Sequence, residues 1–169
     1  MPPTRLSLFP LLILALLAVS SFAHAATVNS TLRRATVLRV SDGDTIAVRI
    51  KGEEVRIRLY GIDAPEKNQP GGAEATAFLE DLLLTNEVMV KTLDVDKYGR
   101  EVAVVSIIDG CNLLQVQQML LDYGLVWVYD KYCRASFCKD WKEIEVRARE
   151  NKAGIWAGEP VEPWVWRKK

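Results

Sequence analysis

The segment "RIRLYGIDAPE", Arg56 to Glu66, delivers an arginine, an aspartate and a glutamate from one extended apolar stretch. Within "EVRIRLY", Val55, Ile57 and Leu59 alternate on one face of a strand, which sends Arg56 and Arg58 to the other. Upstream, "SDGDT" supplies Asp42 and Asp44; downstream, "DKYGR" supplies Lys97, Tyr98 and Arg100. If the strands pair as a meander, Asp44 in its turn and Asp63 after the third strand come close together. Two converging carboxylates repel unless positive charge lies between them. A hard divalent cation such as calcium, bound by carboxylate, carbonyl and water oxygens, meets that need. Arg58 and Arg100 present planar, permanently charged forks that suit phosphate oxygens. Glu66, held by the restricted backbone of Pro65, suits orienting or deprotonating water beside a metal-bound substrate. Each of these residues alone reads as a turn former or a solvated charge. Together they describe metal-assisted phosphodiester hydrolysis.

That chemistry works without imidazole, and the chain leaves little choice. Its 169 residues include one histidine, His24, placed in an apolar leader. Arg5, the run from Leu6 to Val19 and the closing "AHA" have the layout of a secretory signal, with cleavage expected between Ala25 and Ala26. The rival reading of the run is an uncleaved anchor, slightly short of a bilayer span. With the leader gone, Ser-His-Asp, Cys-His and histidine-ligated zinc mechanisms are excluded, and no group is expected to titrate near pH 6.5. The 22 basic and 22 acidic residues balance, so attraction to nucleic acid must be local. From Lys131 onward the balance tilts, to ten basic residues against six acidic. Neither acidic turn fits an EF-hand: Ile46 stands where a third ligand belongs, and Val105 where the loop needs its bidentate glutamate. Export permits disulfides, and "CRASFC" closes a short loop between Cys133 and Cys138, leaving Cys111 as an odd, buried thiol.

The elements that must position these groups follow from periodicity. "ATVLRV", "TIAVRI" and "EVRIRLY" make a three-stranded meander. Ala75, Phe78, Leu79, Leu82 and Leu83 repeat at helical spacing. "EVMVKTL" and "REVAVVSII" return to strand, joined by "DVDKYG". A second helix is expected over "NLLQVQQMLLDYG", with Asn112 as N-cap and Gly124 as its end. After the apolar piece "LVWVY", a third carries Phe137, Trp141, Ile144 and Ala148, with Gly154 as its stop. The fold expected is mainly β with α, a five-stranded barrel of the oligonucleotide-binding (OB) type under about three helices. The organisation expected is a leader (1–25), a lead-in (26–34), one barrel domain (35–157) and a Pro/Trp-rich tail (158–169).

"SDGDT", "RLYGIDAPE" and "DKYGR", in this order and at these separations, resemble the staphylococcal nuclease (thermonuclease) family, from about Thr36 to the "GIW" ending at Trp156. The resemblance implies an OB-fold barrel and a calcium-dependent nuclease acting on DNA and RNA, with the 5′-oxygen as leaving group and 3′-phosphate products. It implies Asp44, Asp63 and the carbonyl of Ala64 as metal ligands; the family's best-known member has threonine at this last position, which leaves the carbonyl ligand intact. It implies Glu66 as the residue that activates or orients water, and Arg58 and Arg100 as stabilisers of the transferring phosphoryl. Lys97 and Tyr98 match substrate-phosphate positions, and Tyr132 is assigned to nucleotide stacking. Expected partners are DNA and RNA, single strands preferred, with no stable protein partner, a monomeric state and a periplasmic or extracellular location. Two other classes compete: a non-catalytic OB-fold nucleic-acid-binding module, and an exported, disulfide-stapled interaction protein using Trp164 and Trp166.

Overall fold

The computed structural model describes residues 31–84 and 86–168, so the leader lies outside the described residues. Strands β1 (Arg33–Asp42), β2 (Thr45–Ile50) and β3 (Glu53–Leu59) form the antiparallel meander that the alternation predicts. Then come β4 (Ile62–Asp63), α1 (Gly72–Leu83), β5 (Glu87–Val95), β6 (Glu101–Asp109) and β7 (Asn112–Gln115). α2 (Val116–Asp122), β8 (Trp127–Val128), α3 (Cys138–Glu150), a 3₁₀ turn (Gly154–Ala157) and α4 (Pro163–Trp166) complete the order.

The sheet runs β3-β2-β1-β5-β6 and closes on itself where β3 pairs parallel with β6, from Ile57 opposite Glu101 to Leu59 opposite Ala103. This is a five-stranded OB-type barrel in an α+β fold. β1 serves two partners by bending: its register against β2 slips between Val37 and Arg39 and again between Val40 and Asp42. Such bulges bend a strand and raise its twist, which closure requires. Ile46, Val48, Ile57, Leu59, Val90 and Val105 fill the interior. Leu79 and Leu83 of α1, Leu120 and Leu121 of α2 and Trp141 of α3 join the same core.

The second helix starts later than expected. Asn112 does not cap it; Asn112–Gln115 pairs with β6 as β7, and α2 begins at Val116 after Gln115. The cause is "DG" at Asp109–Gly110: Gly110 takes φ 58, which lets β6 turn back on itself in a tight hairpin. Cys111 sits in that turn and is exposed, not buried. The third helix stops at Glu150, short of Gly154.

Cys133 and Cys138 form a disulfide. The loop they close is tied to the end of β3, where the Tyr60 hydroxyl accepts from the N–H groups of Arg134 (2.9 Å) and Ala135 (3.1 Å). Loop-closure entropy for so short a link amounts to about 2 kcal/mol. Urea unfolding of a Cys133→Ala/Cys138→Ala protein should show a loss of that order, and activity at the acid site should persist because neither sulfur touches it.

Candidate active site

Asp44 and Asp63 are brought together in the barrel wall. The β1–β2 turn is held by an Asp42 carboxylate accepting from the Asp44 N–H (3.1 Å), and by the Leu59 N–H donating to the Asp44 carbonyl (2.8 Å). Gly43 permits this closeness: a Cβ there would lie 2.7 Å from the Cβ atoms of both Ala64 and Ala75. Asp63 arrives on β4, which pairs with β8 so that Asp63 stands opposite Trp127. Asp44 is 7% exposed and Asp63 1%.

Arg58 holds the pair together. Its outward position on β3 lets one guanidinium nitrogen pair with Asp44 Oδ2, while the other donates to Asp63 Oδ1 at 2.7 Å. Asp44 also accepts from the Ala64 N–H (2.8 Å) and the Thr45 hydroxyl (3.1 Å). Burial pushes the Asp44 carboxyl up from 3.8 to about 7, against the opposing pull of Arg58, with Asp42 and Asp63 adding to the rise. The absence of histidine from the described residues therefore does not leave the neutral range empty.

Arg100 follows the β5–β6 turn. Its Nε donates to Asp96 Oδ2 (2.7 Å) and one terminal nitrogen reaches the Thr45 hydroxyl (3.5 Å), so it stands one residue from Asp44. Lys97 and Tyr98 project from the same turn, Tyr98 being 68% exposed with the Lys97 ammonium 4.9 Å from its ring centre. Glu66 follows the buried Pro65, and the Gln69 side chain accepts from its N–H (3.1 Å). Tyr132 is exposed and meets Tyr129 edge-on at 4.9 Å.

Sequence reasoning missed Arg167 and Tyr129. Arg167 donates to Asp63 Oδ2 (2.6 Å) and to Glu66 Oε1 (2.7 Å), and these carboxylates raise its already high pKa. Tyr129 stacks face to face on Trp164 at 5.0 Å, which pins the tail to the domain. The one sequence signal touching Arg167 was the basic tilt of the chain after Lys131, and Tyr129 had none.

Among the described residues no three acidic, histidine or cysteine side chains converge as a ready-made metal cage. The donors present still fit a hard cation. Two buried carboxylates share one arginine, the Thr45 hydroxyl oxygen lies beside Asp44, and a second guanidinium stands between Asp63 and Glu66 where positive charge is wanted.

This barrel, with acids and arginines on its wall, defines a class that sequence comparison makes specific. The profile described as "Staphylococcal nuclease homologue" matches residues 56–158. A protein of Escherichia coli O157:H7 named "Uncharacterized endonuclease" is 39% identical over 134 residues, covering 79% of this chain and 84% of its own. "Micrococcal nuclease" of Shigella flexneri is 35% identical over 141 residues, 80% of each chain. An "Uncharacterized endonuclease" of Haemophilus influenzae is 33% identical over 136 residues, 79% of this chain and 72% of its own. The chain belongs to the staphylococcal nuclease family and is by class a nuclease.

The Asp44 shift sets a pH dependence. The unfolded carboxyl loses its proton near 3.8, whereas the folded one keeps it to about 7. Between those values the folded state holds a proton that the unfolded state has released, so this group's contribution to stability falls as pH rises. In chelator, Asp44→Asn should therefore gain stability relative to the parent as pH goes from about 4 to about 8. Urea unfolding across that range reads the difference directly.

Proposed function

We propose that this protein is a calcium-dependent nuclease that hydrolyses phosphodiester bonds of DNA and RNA by attack of water, releasing the 5′-oxygen and leaving 3′-phosphate ends. The observation that carries this reading is the pair of buried aspartates, Asp44 and Asp63, on one arginine, with Glu66 three residues further on. Asp44, Asp63 and the main-chain carbonyl of Ala64 would hold the ion. Calcium, when bound, supplies a Lewis acid for the phosphate and neutralises the acids around it.

The rest is done by the chain's own residues. Glu66 holds the attacking water or takes its proton at a carboxylate oxygen. Arg58 and Arg100 donate to the phosphoryl oxygens as charge develops, the bidentate task to which guanidinium is suited. In the resting arrangement their forks are engaged by Asp44, Asp63 and Asp96, so substrate binding exchanges carboxylate for phosphate. Lys97 and Tyr98, exposed beside Arg100, suit a neighbouring phosphate, and Tyr132 suits a base face. Exposed aromatic faces favour single strands, whose bases are free to stack. The protein is proposed to act as an exported monomer, in the periplasm or outside the cell. The Cys133–Cys138 disulfide supports that location, since such bonds persist in oxidising compartments.

Digestion of single-stranded DNA and RNA should require calcium and stop in chelator; full activity in chelator would remove the metal from the reaction. Arg58→Lys and Glu66→Gln should each lower turnover on the order of 10²–10³ with little change in calcium affinity. Asp44→Asn should weaken the metal first and recover partly in excess calcium. Near-normal turnover from both Arg58→Lys and Glu66→Gln in folded protein would discard the assigned mechanism. Oligonucleotide binding with no hydrolysis by the parent protein would make it the non-catalytic OB-fold module instead.

A further inference from the structure

The 158–168 segment does more than cover the domain. Arg167 reaches 104 residues back in the chain to Asp63 and 101 back to Glu66. Both carboxylate oxygens of Asp63 are thereby engaged: Arg58 takes Oδ1 at 2.7 Å and Arg167 takes Oδ2 at 2.6 Å. Glu66, proposed to handle the attacking water, has Oε1 occupied at 2.7 Å. Three residues before Arg167, Trp164 lies flat on Tyr129, with the rings 5° from parallel. A cation thus sits on the acids, and a stacked ring pair holds the segment that carries it.

We propose that this segment is a built-in competitor of the nuclease site: Arg167 occupies the acids in place of the metal ion, the stack of Trp164 on Tyr129 holds it there, and the segment leaves when metal binds. The proposal rests on the calcium-nuclease reading and names a regulation of that same site. The manner of attachment suits release. The Arg167 side chain is 41% exposed, so it enters from the rim and can swing out without opening the core. Its other anchors include the Gln69 amide donating to the Val161 carbonyl, the buried Pro163, and the Trp166 indole N–H meeting Asn68 Oδ1 at 3.4 Å. Beneath the segment, between Gln69, Gly71, Leu125, Ile155 and Pro160, lies an open gap of about 390 Å³ instead of close packing. Gln69 also accepts from the Glu66 N–H, so the position of the segment is coupled to the backbone that carries Glu66.

The arrangement has a measurable consequence. A ligand that binds only the released form has its affinity reduced by the fraction released, so a tenfold preference for docking weakens apparent calcium binding about tenfold. Arg167→Gln keeps the side chain polar and removes the charge, whereas Arg167→Lys keeps the charge. Trp164→Ala loosens the segment without touching an acid.

The test combines thermal unfolding in chelator with calcium titration by calorimetry on the full protein and these three variants. Arg167→Gln should melt lower than the parent in chelator, by roughly 3 °C or more, because Asp63 loses a partner. It should nevertheless bind calcium about tenfold more tightly. Trp164→Ala should also bind more tightly, and Arg167→Lys should fall between Arg167→Gln and the parent. An unchanged melting point for Arg167→Gln in chelator would show that Arg167 is not docked and would overturn the proposal. So would unchanged or weaker calcium binding, the latter making Arg167 a supporter of the site. Should no form bind calcium while Arg167→Gln still melts lower, the calcium reading falls and the exchange with metal falls with it, whereas the docked segment stands.

Discussion

Two carboxylates that cannot be left alone in a barrel wall govern this structure. Asp44 and Asp63 are almost completely buried, where an isolated carboxylate is strongly unfavourable unless paired or protonated. Arg58 resolves most of that conflict because strand alternation puts it on the face opposite Ile57 and Leu59, with both aspartates in reach. One residue of register slip on β3 would turn Arg58 inward and expose Leu59, so core and site are specified by the same pairing. The closure of β3 on β6 has a similar double role. It completes the barrel, and it brings the turn bearing Arg100 to Thr45, the neighbour of Asp44.

The site is built by short connections on a rigid frame. β4 and β8 contribute only Ile62–Asp63 and Trp127–Val128, yet their pairing fixes Asp63 and leads directly into Tyr129, whose N–H donates to the Gly61 carbonyl at 2.8 Å. Gly43 contributes what no other residue could there, namely absence of a side chain between Ala64 and Ala75. The disulfide loop closes the same side, bonded to the Tyr60 hydroxyl. Removing one member of a buried charged pair leaves the other uncompensated, typically at a cost of about 3–5 kcal/mol. Substitutions at Arg58 consequently have to be read against folding as well as chemistry.

Much of this was legible because it is local. The three-strand meander, α1 and the turns carrying Asp44, Asp63 and Arg100 each announce themselves within a window of a few residues, by alternation, helical spacing or glycine. The start of α2 was misread because "NLLQVQQML" satisfies a cap and a helical period equally well, and the deciding "DG" hairpin lies just before it. Cys111 was assigned to the interior on residue type, but hairpin geometry carries it to the turn. Arg167 could not be found in this way. Its partners lie more than 100 residues away, and nothing in "VWRKK" distinguishes the arginine from the lysines that follow it.

Charge balance connects the resting site to the proposed working one. Asp44, Asp63 and Glu66 can carry three negative charges, and Arg58 and Arg167 supply two positive ones. Burial of Asp44, reinforced by Asp42 and Asp63 and opposed by Arg58 and the Ala64 N–H, holds its carboxyl proton to about 7. With that proton in place the resting cluster is neutral. Replacing it and Arg167 by one divalent ion exchanges two positive charges for two, so the cluster stays neutral while the ligand set changes from guanidinium and proton to metal. On that proposal Arg58 would remain throughout, and with the aspartates turned to a cation of higher charge its fork would be released toward phosphate. The buried acids would then serve both proposed states with one geometry, the difference between rest and work being which cation they face.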